Sequence, residues 1–167
     1  MRVTRILGGL LAALAIAAPA GAAGLPAGTY EWPVEGTVIR AFEQPSSPYA
    51  AGHRGIDIAT PYGTPIGAPA PGTVSFAGKV AGSLFVSVDH AGGIRTTYSW
   101  LSGATVAKGD AVETGDVLGY TGSGHAGVTP DHLHFGVRLD GDYIDPMMLL
   151  RVVDVVGLIR LAPLRGP

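Results

Sequence analysis

The sequence contains no cysteine, and only 14% of its residues are charged. Without cysteine there is no disulfide framework, so stability has to come from a hydrophobic core and from any bound metal. The charge balance is slightly acidic, with 11 Lys and Arg against 13 Asp and Glu. This balance gives no support for nucleic-acid binding or for membrane attachment through a basic patch.

The first 23 residues have the pattern of a secretory signal peptide. Arg2 and Arg5 precede an uninterrupted apolar run over residues 6–18, and two A-x-A cleavage candidates overlap within residues 18–22. The run is short for a membrane span, so cleavage is favoured over the alternative of an uncleaved anchor. No cysteine follows it, which excludes a lipid-modified cysteine. We predict removal of residues 1–23 and a secreted, extracellular or cell-wall-associated protein with a net charge near −4, because two of the 11 basic residues and no acidic ones are lost.

Glycine and proline are abundant, with 26 and 13 residues, and they separate short runs rich in β-branched and aromatic residues. No window before residue 145 sustains a helical period. The pattern predicts an all-β fold, a glycine-rich antiparallel β sandwich or curled barrel. Residues 84–98 are expected to form a hairpin with a loop around residues 91–93. The predicted strands are Thr37–Phe42, Ile56–Ala59, Thr73–Ala77, Leu84–Val88, Ile94–Tyr98, Val117–Tyr120 and His134–Arg138.

The chain left after signal removal, about 144 residues, is long enough for one compact domain with its own core. We place this domain at residues 30–150 and a C-terminal tail at residues 151–167. The tail is apolar with interspersed charges, and its sequence leaves open a short helix, an extended segment or a loosely held end. The second half of the domain resembles the strand–turn pattern of biotinyl and lipoyl carriers, but no lysine lies at a hairpin tip, so a carrier function is not supported.

Two histidine-containing motifs carry the candidate chemistry. In His132-Leu133-His134, a strand would place both histidines on one face with Cβ atoms roughly 7 Å apart. That spacing suits one histidine binding a metal while the other reaches a water on it. His53 and Asp57 can supply the remaining ligands, because Gly55 between them permits the bend that closes an extended span of roughly 13 Å. Two histidines and one carboxylate form a familiar catalytic zinc set with a fourth position for water.

With these residues the chain resembles the M23 family of zinc metallopeptidases, the lysostaphin and LytM type of cell-wall endopeptidase. The resemblance covers roughly residues 32–150. It depends on four segments: G-H-R-G-I-D-I-A at 52–59, G-T-P-I with A-P at 63–69, G-T-V at 72–74 and D-H-L-H-F-G at 131–136. The order of the two histidine motifs, with a glycine-rich β pattern between them, makes this signal specific.

The resemblance implies a fold, a cofactor and site residues. The fold would have a lipoyl-like hybrid topology, and the cofactor would be Zn²⁺. His53, Asp57 and His134 match the family's zinc ligands, and His132 matches the histidine beside the metal-bound water. The expected substrate is the peptide stems or bridges of bacterial peptidoglycan, and the cleaved bond, glycyl-glycine or D-alanyl to a diamino acid, stays open.

One position departs from the family pattern. The family usually has a second catalytic histidine in a Tyr-x-His-Leu context, and here Trp100 stands at that place, two residues after Tyr98. An indole cannot exchange protons near neutral pH, and general acid–base help is worth about 10²–10⁴-fold in rate. We predict that Trp100 borders the metal cleft, the alternative being a buried core position. Trp100, Tyr98 and His125 are the candidate substrate-binding residues, and His125 alternatively substitutes for the missing histidine. His90 is expected to be exposed and structural.

Two functions therefore follow from the sequence. The first is a secreted zinc endopeptidase that cuts peptidoglycan cross-links, with His132 as general base. The second is a catalytically weakened zinc-binding module that binds peptidoglycan or activates a partner hydrolase. Retention of all three metal ligands favours the enzyme, whereas Trp100 favours the module. We expect a monomer that binds neither nucleic acid nor, after signal cleavage, a membrane.

Overall fold

The fold is assembled from short antiparallel strands. The computed structural model of the chain describes residues 28–47 and 50–150. The strands are β1 (Thr37–Arg40), β2 (Ile56–Ala59), β3 (Pro65–Gly67), β4 (Gly72–Val80), β5 (Ser83–Asp89), β6 (Ile94–Ala104), β7 (Ala111–Val112), β8 (Val117–Thr121), β9 (His132–Leu139) and β10 (Asp142–Ile144). Helical structure in the described part is limited to two 3-10 turns, Ala91–Gly93 and Pro146–Met148. The predicted all-β class is confirmed. The predicted signal peptide and C-terminal tail lie outside the described residues.

All ten strands belong to one sheet, which is open rather than closed into a barrel. Its main path runs β1-β2-β9-β6-β5-β4-β7, with β10 added beside β9 and β3 joined to β6 through β8. Every pairing is antiparallel. Strands β2 and β9 are distant in sequence but adjacent in space, and this adjacency brings the two histidine motifs together.

Alternation along the strands separates the core from a polar face. On β9 the apolar residues Leu133, Phe135 and Val137 are buried in the core, and so are Ile56 and Ile58 on neighbouring β2. Burying each such side chain contributes about 1.5–3 kcal/mol to stability. The residues between them have to point to the opposite face, because successive side chains of a strand alternate. The core therefore orients the site residues.

The sequence located the longer strands but not the shortest ones. Each of the seven predicted segments overlaps a strand, and the predicted hairpin is present as the β5–β6 pair with residues 91–93 in its loop. The two- and three-residue strands β3, β7 and β10 were not predicted, because so few residues show no recognisable alternation.

Candidate metal centre and substrate groove

Strand pairing places the two halves of the candidate site opposite each other. In the β2–β9 ladder Asp57 is the direct partner of His134, so their side chains leave the same face of neighbouring strands. His53 lies just before β2, where its backbone N–H donates to the carbonyl of Glu43 at 2.9 Å and its carbonyl accepts from the Glu43 N–H at 3.0 Å. The three predicted ligands therefore come from one ladder and one anchored loop.

Gly55 permits this approach through its lack of a side chain. A Cβ atom at this position would lie 2.4 Å from the carbonyl oxygen of Phe135 and 2.9 Å from Nε2 of His134. Any larger residue would therefore push β2 away from β9. The sequence predicted a glycine bend here, and the structure shows that close contact between backbones is the physical reason for the glycine.

The donor atoms of the three predicted ligands converge. Nε2 of His53 lies 3.1 Å from Oδ1 of Asp57 and 3.1 Å from Nδ1 of His134, and that Nδ1 lies 2.8 Å from the same Oδ1. Ligands at the usual zinc distances in a tetrahedral site are separated by about 3.3 Å. The triangle of donors is therefore close to the size that one zinc ion requires.

The hydrogen bonds around His53 show that these donors fit a cation. Its Nδ1 lies 2.8 Å from the carbonyl oxygen of Ala41, so Nδ1 carries the proton of the neutral ring and donates it to that oxygen. Nε2 then has a bare lone pair facing the Asp57 carboxylate. Two acceptors 3.1 Å apart repel each other unless a cation lies between them. Outer hydrogen bonds of this kind orient metal-binding histidines in zinc sites.

The surroundings of Asp57 and His134 favour the protonation states in which these side chains can bind a metal ion. Burial opposes ionisation of Asp57, but hydrogen bonds to His134 and His125 and the nearby charges of His53 and His134 outweigh it and lower the Asp57 pKa to about 2. Burial lowers the pKa of the His134 imidazole, against the opposing effect of Asp57. Near neutral pH the centre therefore presents an ionised carboxylate beside a neutral His134 ring.

A fourth side chain, His125, joins this cluster. Its Nε2 lies 3.1 Å from Oδ2 of Asp57, and the donor atoms of His53, Asp57, His125 and His134 all lie within 4.8 Å of one another. The sequence predicted that His125 contacts the groove or substitutes for the missing catalytic histidine, and it did not predict a metal ligand. The only sequence feature that pointed to a place at the metal centre was its position seven residues before His132, in a glycine-rich loop that leads into β9.

His132 shares a face of β9 with His134 but is fully buried. Its Nδ1 lies 3.0 Å from the carbonyl oxygen of Pro130, and its Nε2 accepts a long hydrogen bond of 3.4 Å from the backbone N–H of His125. The loop before β9 therefore covers the ring. His132 is a neighbour of the cluster and not a member of it.

Trp100 occupies a bulge in β6. Ser99 pairs with Phe85 and Leu101 pairs with Leu84, so Trp100 is an extra residue on its strand. Its φ angle of 58° lies in the left-handed region, which is strained for a bulky side chain. Bulges often redirect side chains beside functional sites.

This backbone geometry directs the Trp100 ring to the metal centre. The ring centroid lies 5.0 Å from that of His125, 5.4 Å from that of His134 and 5.6 Å from that of Phe85. Trp100 borders the cleft, as the sequence analysis predicted.

Two expectations are corrected. Tyr98 is fully buried, with its ring 5.5 Å from that of Phe135 and its hydroxyl 3.0 Å from Thr96 Oγ1, so it contacts the core instead of substrate. The bulge explains the error. Tyr98 and Trp100 would share a face of a regular strand, but the extra residue at Trp100 turns its side chain to the opposite face from Tyr98. His90 is structural but buried, with Nδ1 2.9 Å from the Pro71 carbonyl and Nε2 2.8 Å from Thr96 Oγ1.

A groove of about 600 Å³ extends from the metal centre across the polar face of the sheet. Its apolar wall is formed by Phe76, Val80, Phe85 and Trp100, and three arginines, Arg54, Arg95 and Arg138, also line it. Arg95 and Arg138 are partners on neighbouring strands, and the guanidinium carbon of Arg138 lies 4.2 Å from the Tyr143 ring centroid. Asp89 pairs with Arg95 at 2.9 Å, and no ion pair involves Arg138 within the described residues.

The sequence profile of peptidase family M23 matches residues 51–146, which is more than half of the chain. The chain belongs to peptidase family M23. This M23 chain is 40% identical over 96 residues to the DD-carboxypeptidase/endopeptidase Mpg of Neisseria meningitidis, across 57% of this chain and 22% of Mpg. It is 37% identical over 140 residues to an uncharacterized protein of Mycobacterium tuberculosis, across 80% of this chain and 54% of that protein.

A solved structure supports the same assignment. The zinc-containing peptidase from Vibrio cholerae matches with a TM-score of 0.62 and 26% identity, across 75% of this M23 chain and 41% of that one. The M23 chain thus spans about half the length, or less, of these relatives. Residues 28–47 and 50–150 of the M23 chain contain no helix that is long and apolar enough to cross a membrane.

Proposed function

We propose that this M23 chain is a secreted zinc endopeptidase that hydrolyses peptide cross-links of bacterial peptidoglycan. The observation that carries the proposal is the convergence of donor atoms from His53, Asp57 and His134 at the end of an open groove. Family membership supports peptide hydrolysis. The similarity to Mpg, a DD-carboxypeptidase/endopeptidase, supports the substrate class, and the similarity to the zinc-containing peptidase of Vibrio cholerae supports the metal.

In this proposal His53, Asp57 and His134 hold the zinc ion. When bound, zinc polarises a scissile carbonyl and lowers the pKa of a water toward about 7. His132 acts as the general base, because donation from its Nδ1 to the Pro130 carbonyl leaves the Nε2 lone pair available. That lone pair now accepts from the His125 backbone, so the loop has to move before His132 can take a proton.

The groove supports recognition of an extended, partly anionic peptide. Trp100 offers an aromatic surface beside the metal centre on which a peptide face can pack. Arg138 lies on the same face of β9, four residues beyond His134. It offers a guanidinium for a substrate carboxylate, and such pairs are among the stronger hydrogen bonds in proteins. Peptidoglycan stems combine small side chains with free carboxylates, which matches both features.

The second candidate is a catalytically weakened zinc-binding module that binds peptidoglycan or activates a partner hydrolase. Two observations favour it: Trp100 stands where a proton-transferring histidine is expected, and His132 is fully covered. The position of the intact donor triangle at the end of an open groove favours the enzyme, because a zinc ion with a purely structural role has no need to face a groove.

A single assay separates the two functions. The chain without residues 1–23 is incubated with peptidoglycan, with and without a zinc chelator, and new amino termini are measured. The endopeptidase proposal predicts new termini that disappear with chelation and return with zinc, and mass spectrometry of the fragments identifies the cleaved bond. A zinc-loaded parent that releases none, together with an active Trp100→His variant, would support the module instead.

A further inference from the structure

The loop at residues 122–131 places His125 at the metal centre, on a side that the other ligands leave open. His53, Asp57 and His134 share contacts around Oδ1 of Asp57, whereas Nε2 of His125 approaches Oδ2 at 3.1 Å. All four donors fall within 4.8 Å of one another. His125 therefore meets the same centre from outside the β2–β9 ladder.

Contacts with His132 hold this loop in place. The backbone N–H of His125 donates to Nε2 of His132 at 3.4 Å. A Cβ atom on Gly124 would lie 2.2–2.5 Å from atoms of the His132 ring, and Gly124 has a φ angle of +77°. Both the close approach and the backbone conformation require glycine. The loop is therefore fitted to His132, which sets the position of the next residue.

Trp100 confines the His125 ring from another side. The two ring centroids are 5.0 Å apart with planes tilted by 56°, and the centroids of His125 and His132 are 4.9 Å apart. Only 18% of the His125 side chain is exposed. The imidazole is thus held between two rings with its Nε2 at the cluster.

We propose that His125 is a fourth side-chain ligand of the zinc ion in the substrate-free protein, an inference that rests on the proposed zinc function. Zinc sites closed by four side chains are of the structural type, whereas catalytic sites keep one position open. The centre is then closed at rest, and water and substrate reach it when the loop carries His125 away. The same movement removes the N–H that occupies Nε2 of His132.

Nitrogen NMR of the zinc-loaded chain with ¹⁵N-labelled histidine rings tests this directly. The expected result is metal-type resonances for Nε2 of His53, Nδ1 of His134 and Nε2 of His125. If Nε2 of His125 instead carries a proton that it donates to Asp57, while His53 and His134 are metal-bound, this inference is overturned and the proposed zinc centre stands. If neither His53 nor His134 is metal-bound, the zinc centre itself fails.

Variants of the loop provide an independent measurement. We expect His125→Ala to lower zinc affinity by more than about tenfold, since removal of even an outer partner of a ligand costs 10–100-fold. Ser123→Ala, in the same loop but outside the cluster, should retain the parent's affinity. Chelator competition measures both values. Equal affinity of His125→Ala and Ser123→Ala would overturn the assignment of His125 as a ligand.

Discussion

His132 and His134 show how two identical residues on one face of a strand acquire different roles. His134 presents Nδ1 to Asp57 and His53, whereas His132 is bonded to the Pro130 carbonyl and to the His125 backbone. We expect His134→Ala to lose zinc. His132→Ala should retain zinc and lose about 10²–10⁴-fold in turnover, the usual worth of general acid–base catalysis.

Metal analysis and peptidoglycan hydrolysis, measured on the same preparations, check this pair of variants. Circular dichroism provides the control, because both residues pack against neighbours and a folding defect would remove zinc by itself. Equal zinc loss from two folded variants would mean that His132 is itself a ligand.

His90 predicts a pH dependence of stability that is separate from the metal centre. Burial lowers its pKa below the ordinary histidine value of 6.5, against the opposing effects of Pro71 and Asp89. The unfolded chain therefore binds a proton first as the pH falls. The free energy of unfolding that neutral His90 contributes is fully present above about pH 6.5. It is lost as the pH falls from there toward the pKa of His90 in the folded protein, at a rate of at most about 1.4 kcal/mol per pH unit.

Urea unfolding of the parent and of His90→Gln between pH 5 and 8 measures this effect. We expect the parent to lose more stability than the variant on acidification, because other titrating groups are common to both chains. Parallel stability curves for the two proteins would show that His90 does not titrate differently on folding.

At the scale of elements, the β2–β9 ladder depends on Gly55. We expect Gly55→Ala to destabilise the fold by about 1–3 kcal/mol, the usual cost of overpacking. It should also weaken zinc binding, because β2 moves away from β9 and Asp57 from His134. Gly103→Ala is the matched control: its added Cβ would have only Tyr120, at 3.9 Å, as a close neighbour, so its effect should stay within about 0.5 kcal/mol.

Thermal unfolding and chelator competition on both glycine variants provide the test. Wild-type zinc affinity in Gly55→Ala would show that the ladder absorbs the added methyl group without separating the ligands.

Much of this element-level structure was readable in the sequence, for identifiable reasons. Glycine turns marked the longer strands, and the two-residue period placed His132 and His134 on one face. The same period would place Tyr98 and Trp100 on one face of β6. The bulge at Trp100 separates them and leaves Tyr98 in the core, and no sequence signal marks that bulge. His125 could not be assigned to the metal centre, because its position depends on the path of a loop.

At the scale of the whole molecule, a chain without disulfides should gain considerable stability from its metal. A ligand that binds only the folded state at 100 times its dissociation constant adds about 2.7 kcal/mol. For a domain of this size we expect zinc to raise the melting temperature by roughly 5–10 °C.

Scanning calorimetry before and after chelation, followed by zinc addition, measures this shift. His53→Ala serves as the control and should show no shift, since it lacks one of the three proposed ligands. A shift of equal size in parent and variant would indicate zinc binding elsewhere on the chain.

The direct pairing of Asp57 with His134 also has a consequence for folding fidelity. A slip of β2 by one residue against β9 would turn Asp57 toward the core and expose Ile56 and Ile58. A slip of two residues would keep the face but place Asp57 beside a different partner on β9. The metal centre can therefore form only in molecules with one strand alignment. The zinc stoichiometry of a refolded sample consequently reports the fraction of molecules that have paired these two strands correctly.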